Sequence, residues 1–405
     1  MEREAQGVRQ PTAAVLTAGC RLNQSESDVL RHRLALQGVL LVDSPEQADA
    51  CYINTCTVTG QADRSSMQMI RRACRLEGRP RVVVLGCLAQ RSPEQVRRIA
   101  GVREVWNNER KQAEIAGVGP APVRSRAILK VQDGCSRRCS YCVVSGLRGE
   151  SRSVPARQVH EQFERLMVNG FREVVLTGLN LGTYRDGDTT LAGLLTGLLE
   201  QCRGARIRLA SVEPDTFDEA LTALMVDRRV CPHLHIPLQS GDDVLLEKMN
   251  RPYRAADFGR LVERILKVRP ETNIGLDVIT GFPGETDESY QRTRRFLAGM
   301  PVGYLHVFPF SLRPGTEETC RGEPVPGPVT RERVGELRAF SDRRRQEYQV
   351  RFIGTVRPAI VETSRAALTD NYLRLKVTCA VGLEPKALAD FRIGQEGSGL
   401  TGSPC

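Results

Sequence analysis

No uninterrupted apolar run in the 405 residues approaches the roughly 20 needed to span a bilayer. A soluble protein without a membrane partner is expected. The chain also opens without a charged-then-apolar export segment, and its 13 cysteines are an odd number, so a disulfide framework fits badly. A reducing, cytoplasmic setting follows, with metal binding as the expected use for several thiols. An acidic excess is missing too: 58 Lys and Arg against 48 Asp and Glu give +10. That balance suits a polyanion such as RNA, although a basic solvated surface would give the same figure.

What the chain does have is a patterned set of cysteines. Cys135, Cys139 and Cys142 stand in Asp133-Gly-Cys-Ser-Arg-Arg-Cys-Ser-Tyr-Cys142, a C-x3-C-x2-C spacing that random placement of 13 Cys would produce only about 0.01 times per chain. A cubane iron-sulfur cluster has four irons, so three thiolates leave one iron without a protein ligand, and that open iron is where chemistry can happen. Zinc would ask for four ligands, usually in paired C-x2-C knuckles, and His160, 18 residues on, lies in a helical pattern. A ferredoxin-like carrier would want a fourth cysteine close by. Neither reading suits the spacing as well.

The first 115 residues repeat an apolar, strand-like run that stops at a cysteine: Ala13 to Cys20, Ala50 to Cys56 and Val82 to Cys87. The intervals between those cysteines match the length of a βαβ unit, so three parallel strands would deliver three thiols to one edge of a sheet, where open α/β sheets bind ligands. Cys20, Cys56 and Cys87 are thus a second three-cysteine site, whereas Cys51, Cys74, Cys202 and Cys231 read as space-filling thiols. Residues 116–124 read as a linker from their Pro and Gly.

Strand-like segments then alternate with helical ones: Ala127 to Gln132, Glu173 to Thr177, Arg206 to Ala210, His233 to Leu238, Asn273 to Thr280 and Tyr304 to Phe310. Six such units predict a parallel (β/α)6 partial barrel with function at the loops after the strands. A charged helix leads into two strand-like runs, Thr355 to Glu362 and Tyr372 to Cys379, separated by residues 366–371, which suggest a small β-barrel of a shape often used for RNA. The Gly- and Ser-rich end is read as disordered. The resulting plan is α/β: a doubly wound parallel-sheet domain (1–115), the linker (116–124), the partial barrel (125–330), a connecting helix (331–350), the small barrel (351–395) and a disordered tail (396–405). His233, His235 and His306 sit in apolar strand contexts and are read as hydrogen-bonded core histidines, only one of the first two facing the barrel interior.

With an aromatic residue, Tyr141, before its third cysteine, the loop resembles that of radical S-adenosylmethionine enzymes, and the surrounding motifs resemble the methylthiotransferases among them. These motifs are Val131-Gln-Asp-Gly-Cys135, Arg148-Gly149, Thr177-Gly-Leu-Asn180, Ser211-Val-Glu-Pro214, His235-Ile-Pro-Leu-Gln-Ser-Gly241, Met249-Asn-Arg-Pro-Tyr253, Ile279-Thr-Gly-Phe-Pro-Gly-Glu-Thr286 and Phe310-Ser-Leu-Arg-Pro-Gly-Thr316. In the first domain, Asn54-Thr-Cys56 and Gly86-Cys-Leu-Ala-Gln90 match loops of the family's second cluster. Gly19-Cys-Arg-Leu-Asn-Gln-Ser-Glu-Ser27 resembles the branch that acts on N6-threonylcarbamoyladenosine at position 37 of tRNA, rather than those acting on isopentenyladenosine in tRNA or on a ribosomal-protein aspartate. The chain departs from the family at Ser145, where proline is usual, and its carboxyl-terminal segment (TRAM-type in the family) is short.

The resemblance implies two [4Fe-4S] clusters, on Cys135, Cys139 and Cys142 and on Cys20, Cys56 and Cys87, with S-adenosylmethionine on the open iron of the first. It further implies that one electron, from a flavodoxin- or ferredoxin-type donor, cleaves S-adenosylmethionine to a deoxyadenosyl radical, and that the second cluster delivers the sulfur. Tyr141 would lie against adenine, Thr177, Gly178 and Asn180 near the methionyl amino group, Glu213 near the ribose or amino group, and the turn with Gly281 and Gly284 close to the ligand. Arg148, Arg152, Arg251 and Arg313 are candidate partners for the substrate carboxylate. tRNA is the expected partner of a monomer. A non-catalytic iron-sulfur protein that binds RNA or senses redox state is the reading from a different class.

Overall fold

Of the five strand segments in the first unit, the inner three, Thr12–Thr17, Ala50–Thr55 and Arg81–Gly86, are largely apolar and buried on both faces, as strands covered on both sides must be. In the computed structural model, which describes residues 9–119, 124–316, 322–378 and 382–405, all five form one parallel sheet. Its order across the sheet is Leu40–Leu41, Thr12–Thr17, Ala50–Thr55, Arg81–Gly86 and Val102–Val105. Alternate side chains go to opposite layers. Cys51, Ile53, Val82 and Val84 pack on Ile70 and Ala73 of helix Gly60–Cys74, whereas Ala13, Val15, Val83 and Leu85 pack with Leu30 and Leu34 of helix Arg21–Leu36. This is the doubly wound arrangement, and its direction of winding reverses between Thr12–Thr17 and Ala50–Thr55.

The chain divides into two compact units, residues 1–123 with Gly146–Arg148, and residues 124–145 with 149–405. The division near residue 123 falls within the segment read as a linker, of which residues 120–123 lie outside the described residues. In the second unit, Ala127–Lys130, Glu173–Thr177 and Arg206–Leu209 form one parallel sheet, and His233–His235, Asn273–Thr280 and Tyr304–Pro309 form another. Parallel bridges between Ile207 and Val230 and between Ser211 and His235 join them into a six-stranded partial barrel. Ile274, Leu276 and Val278 face the helical layer, where they meet Phe258, Val262 and Leu297. Gly275, Asp277 and Ile279 therefore face the lumen. Helix Gly327–Val350 covers the last strand through Val334 and Leu337.

The carboxyl-terminal segment is a closed five-stranded barrel, Val356–Thr363, Ala366–Thr369, Arg374–Val377, Gly399–Pro404 and Leu388–Glu396. Two expectations are corrected here. Residues 366–369, read as part of a separator, are a strand of their own; Cys379 lies outside the described residues. The tail is not disordered: Gly399–Pro404 pairs antiparallel with Leu388–Glu396 and parallel with Arg374–Val377, and so removes the barrel's open edge. Its glycine serves packing, since a Cβ on Gly402 would lie 2.8 Å from Leu375 Cδ1 and 3.1 Å from Phe391.

Candidate active site

Directly after the first barrel strand, Gln132–Asp133 pairs with Arg152–Ser153 and closes the cysteine loop at its base. The Cys135 N–H donates to Gly149 O at 2.9 Å, and the Cys142 N–H donates to Cys139 O at 3.0 Å. Ser140 donates from its hydroxyl to Lys248 O at 2.9 Å, and Asn250 donates from Nδ2 to Arg138 O at 2.7 Å, so a second loop of the barrel pins the first. Arg251, from that second loop, points Nη1 at Cys139 Sγ, 3.3 Å away, while its Nη2 pairs with Glu213 and its Nε donates to Tyr253 Oη at 2.9 Å. Burial pushes the Cys142 thiol up to about 11 and raises Cys135, and charge on neighbouring cysteines of the loop would raise each further. A cation must therefore displace their protons. Three soft sulfur donors on one pinned loop, with a guanidinium at one of them, fit a cubane cluster that has one iron free of protein ligands.

Beside that loop, Thr177 ends the second strand and its O accepts from the Val131 N–H at 3.0 Å. Gly178 has no room for a side chain, because a Cβ would lie 2.6 Å from Gln132 Oε1. Gln132 is a residue to which sequence reasoning gave no role: its Oε1 accepts from the Asn180 N–H at 3.0 Å and its Nε2 donates to Gly134 O at 2.6 Å, joining the strand end to the cysteine loop. Its position in Val131-Gln-Asp-Gly was the available signal. Asn180 Oδ1 is buried without a hydrogen-bond partner among the described residues. Such an acceptor calls for a donor from a ligand, and the ammonium of an amino acid supplies one. Asn180 lines a cleft of about 490 Å³ with Ser136, Arg137, Ser151 and Asp215. Those residues fit S-adenosylmethionine.

In the first unit, Cys20, Cys56 and Cys87 follow three neighbouring parallel strands at their carboxyl ends. Cys20 and Cys56 flank the point where the winding reverses, the usual ligand crevice of such sheets. Gly19, at φ +97°, holds them close: a Cβ there would lie 2.8 Å from Cys56 Sγ. Burial pushes Cys56 up to about 11, with charge on Cys87 and Cys20 adding to it. Desolvation also raises Cys20, against the pull of the Arg148 charge.

Residues 12–107 match a family described as uncharacterized protein family UPF0004, and residues 129–297 match the radical SAM superfamily. Threonylcarbamoyladenosine tRNA methylthiotransferase MtaB of Aquifex aeolicus (strain VF5) is 36% identical over 89% of this chain and 95% of that protein. Its counterpart in Rickettsia prowazekii (strain Madrid E) is 32% identical over 90% of each. The chain belongs to this methylthiotransferase family. It is thus a transferase, with [4Fe-4S] and S-adenosylmethionine chemistry. Among solved structures, the radical S-adenosylmethionine methyltransferase TsrM from Kitasatospora setae matches 76% of this chain and 77% of its own with a TM-score of 0.55 at 16% identity, a likeness of fold. No helix among the described residues is long and apolar enough to cross a membrane.

In this methylthiotransferase, several candidate ligand residues are occupied by the chain itself. Arg148 is buried in the first unit, where Nη1 meets Glu26 Oε1 at 2.9 Å and Nη2 donates to Asn23 Oδ1 at 2.6 Å; Lys111 Nζ shares that carboxylate at 2.8 Å. Arg251 is held by Glu213 and the cysteine loop. Both guanidinia are thus paired with carboxylates of the chain, where Arg148 pulls on Cys20 and Arg251 donates to Cys139. Arg313 is buried as well, and Arg152 is exposed on the short strand that closes the loop. Gly281 and Gly284 both have positive φ and lie close to other side chains: a Cβ would lie 2.6 Å from Thr330 Oγ1 and 2.8 Å from Lys248 Nζ respectively. Tyr141 packs against Leu245, Met249 and Phe282, and burial raises its hydroxyl pKa.

The histidines depart from expectation in two respects, the first being that His306 is exposed and not a core residue. Side chains two residues apart on a strand share a face, and both His233 and His235 face the lumen, Nε2 of the first 2.9 Å and Nδ1 of the second 3.4 Å from Tyr304 Oη.

Proposed function

We propose that this enzyme inserts a methylthio group at C2 of N6-threonylcarbamoyladenosine 37 in tRNA, using two [4Fe-4S] clusters. The carrying observation is the pair of three-cysteine sites, each at the carboxyl ends of parallel strands, in a chain with relatives named for that nucleoside. Bound by Cys135, Cys139 and Cys142, one cluster would supply the electron that cleaves S-adenosylmethionine. Bound by Cys20, Cys56 and Cys87, the other would supply the sulfur. The chain's own part is placement and charge: Asn180 Oδ1 accepts from the methionyl ammonium, Gln132 holds Asn180 against the loop, and Arg251 offsets charge at Cys139. Arg148, ion-paired with Glu26 beside Lys111, is the positive charge that pulls Cys20 toward its thiolate, against desolvation. Exposed Arg365, Arg374 and Arg392 on the small barrel suit an RNA backbone.

Nucleoside mass spectrometry of tRNA from cells lacking the gene tests the reading. The 2-methylthio derivative disappears and the unmodified threonylcarbamoyladenosine accumulates; an unchanged nucleoside profile would overturn the proposal. Cys56→Ala separates the two sites. This variant keeps reductive cleavage of S-adenosylmethionine in vitro and forms no methylthio product, whereas loss of cleavage would show that the first-unit thiols serve the radical step instead.

A further inference from the structure

Asp277, on the lumen face of the fifth barrel strand, is an anion without a Lys or Arg within salt-bridge distance among the described residues; its carboxylate is only 21% exposed. Two imidazoles converge on the same oxygen instead. His235 Nε2 is 2.8 Å and His306 Nδ1 3.4 Å from Oδ1, and one ligand atom from each of the three residues lies within 4.8 Å of the other two. Strand pairing builds this arrangement. Asp277 and His306 are directly opposite each other, while His235 stands opposite Gly275 and reaches Asp277 diagonally. With no side chain on Gly275, the Tyr304 ring leans across the middle strand, and its hydroxyl lies 3.4 Å from His235 Nδ1 and 2.9 Å from His233 Nε2.

We propose that His235, Asp277 and His306 hold a divalent first-row transition-metal ion in the barrel lumen, a third metal site separate from the two cysteine sites. Two nitrogens and one oxygen from three rigid strands are the donor set of three-ligand zinc and non-haem iron centres. Ligand atoms around a tetrahedral zinc at about 2.0–2.2 Å lie roughly 3.3–3.5 Å apart. The Asp277–His306 pair already has that separation, and the His235–Asp277 pair must open by about half an ångström. An ion also brings positive charge to a carboxylate that has no Lys or Arg partner among the described residues. Tyr304 serves as the outer partner that a metal-bound imidazole needs on its other nitrogen, fixing the ring of His235. His306, with a side chain 52% exposed, leaves the ion open to the lumen, where the remaining positions take water or an oxygen donor.

The experiment uses holoenzyme with its clusters assembled, so that the cluster cysteines are occupied. The protein is equilibrated with Zn²⁺, desalted and analysed for zinc, iron and sulfide. Wild type retains about one zinc per chain, as expected of a single three-ligand site, and Asp277→Asn and His306→Ala retain almost none at unchanged iron and sulfide. Tyr304→Phe weakens zinc binding by about 10–100-fold. Co²⁺ in place of Zn²⁺ gives visible bands of nitrogen and oxygen ligation without thiolate charge transfer. Wild-type protein that retains no zinc, variants that retain as much as wild type, or a cobalt spectrum with thiolate bands would each overturn the proposal. His306→Ala removes a half-exposed side chain and keeps the test valid should Asp277→Asn fold poorly. Because the readout is metal content, it is independent of whether tRNA is the substrate.

Discussion

Cys139→Ala abolishes reductive cleavage of S-adenosylmethionine and removes one of two clusters, so iron falls by about half, from two cubanes to one. Cys139 is the thiol to change, because it carries the strongest visible electrostatic support. Arg251 donates to its sulfur at 3.3 Å while held by Glu213 and by Tyr253, whose own hydroxyl donates to Pro237 O at 2.9 Å. Alanine leaves that guanidinium aimed at a methyl group and leaves two thiolates for four irons. Local folding survives, since the backbone bonds of the loop, from Cys135 N–H to Gly149 O and from Cys142 N–H to Cys139 O, do not use the side chain. The assay is anaerobic formation of 5′-deoxyadenosine by reduced enzyme. Retained formation would mean that Cys139 is not a ligand and that the loop's spacing had been misread.

Much of this site was legible because strand and ligand coincide in the sequence. A run such as Val82 to Gly86 is apolar at every position, a pattern that only a strand covered on both faces sustains, and the cysteine that ends it is thereby set at the sheet edge. The order of the strands was not legible. Nothing local tells Leu40–Leu41 to pair outside Thr12–Thr17, so the winding reversal at Cys20 and Cys56 appears only once the sheet is assembled. The closing strand of the small barrel was hidden for the opposite reason. Gly and Ser are read as flexible chain, yet Gly402 is the size that the space beside Leu375 requires. Charges were the least legible feature: whether Arg148 or Arg251 faces water or a carboxylate depends on Glu26 and Glu213, far away in sequence. Asp277 offered no pattern of its own. Only the pairing of its strand with that of His306 makes it part of a cluster.

Glu173→Gln is expected to destabilise the second unit by about 3–5 kcal/mol, the cost of leaving buried charge without its counter-ion. Glu173 and Arg208 are fully buried and Arg206 nearly so. The carboxylate meets Arg206 Nη2 at 2.6 Å and Arg208 Nε at 2.8 Å, with Arg126 3.6 Å away. So fixed, the two guanidinia donate to four carbonyls of the small barrel and its loop, Pro358 and Leu368 from Arg206 and Thr369 and Asp370 from Arg208, at 2.8–3.1 Å. One anion thus joins the partial barrel to the small barrel through the two cations it pairs with. Glutamine keeps the shape but removes the charge that repays the desolvation of Arg206 and Arg208. At roughly 2–4 °C per kcal/mol for a unit of this size, the melting temperature falls by about 10 °C. Burial by itself would raise the carboxyl's pKa, but Arg208 and Arg206 outweigh it and hold Glu173 well below the ordinary carboxylate range. A depressed folded-state pKa stabilises above the unfolded value of about 4.3 and ceases to do so as pH falls from there toward the folded value. Wild type should therefore lose this contribution progressively below about pH 4.3, whereas Glu173→Gln, already without it, shows a correspondingly shallower acid dependence. Thermal melts of both proteins from pH 7 down to 3.5 measure the difference, and equal melting temperatures at neutral pH would refute the role assigned to Glu173.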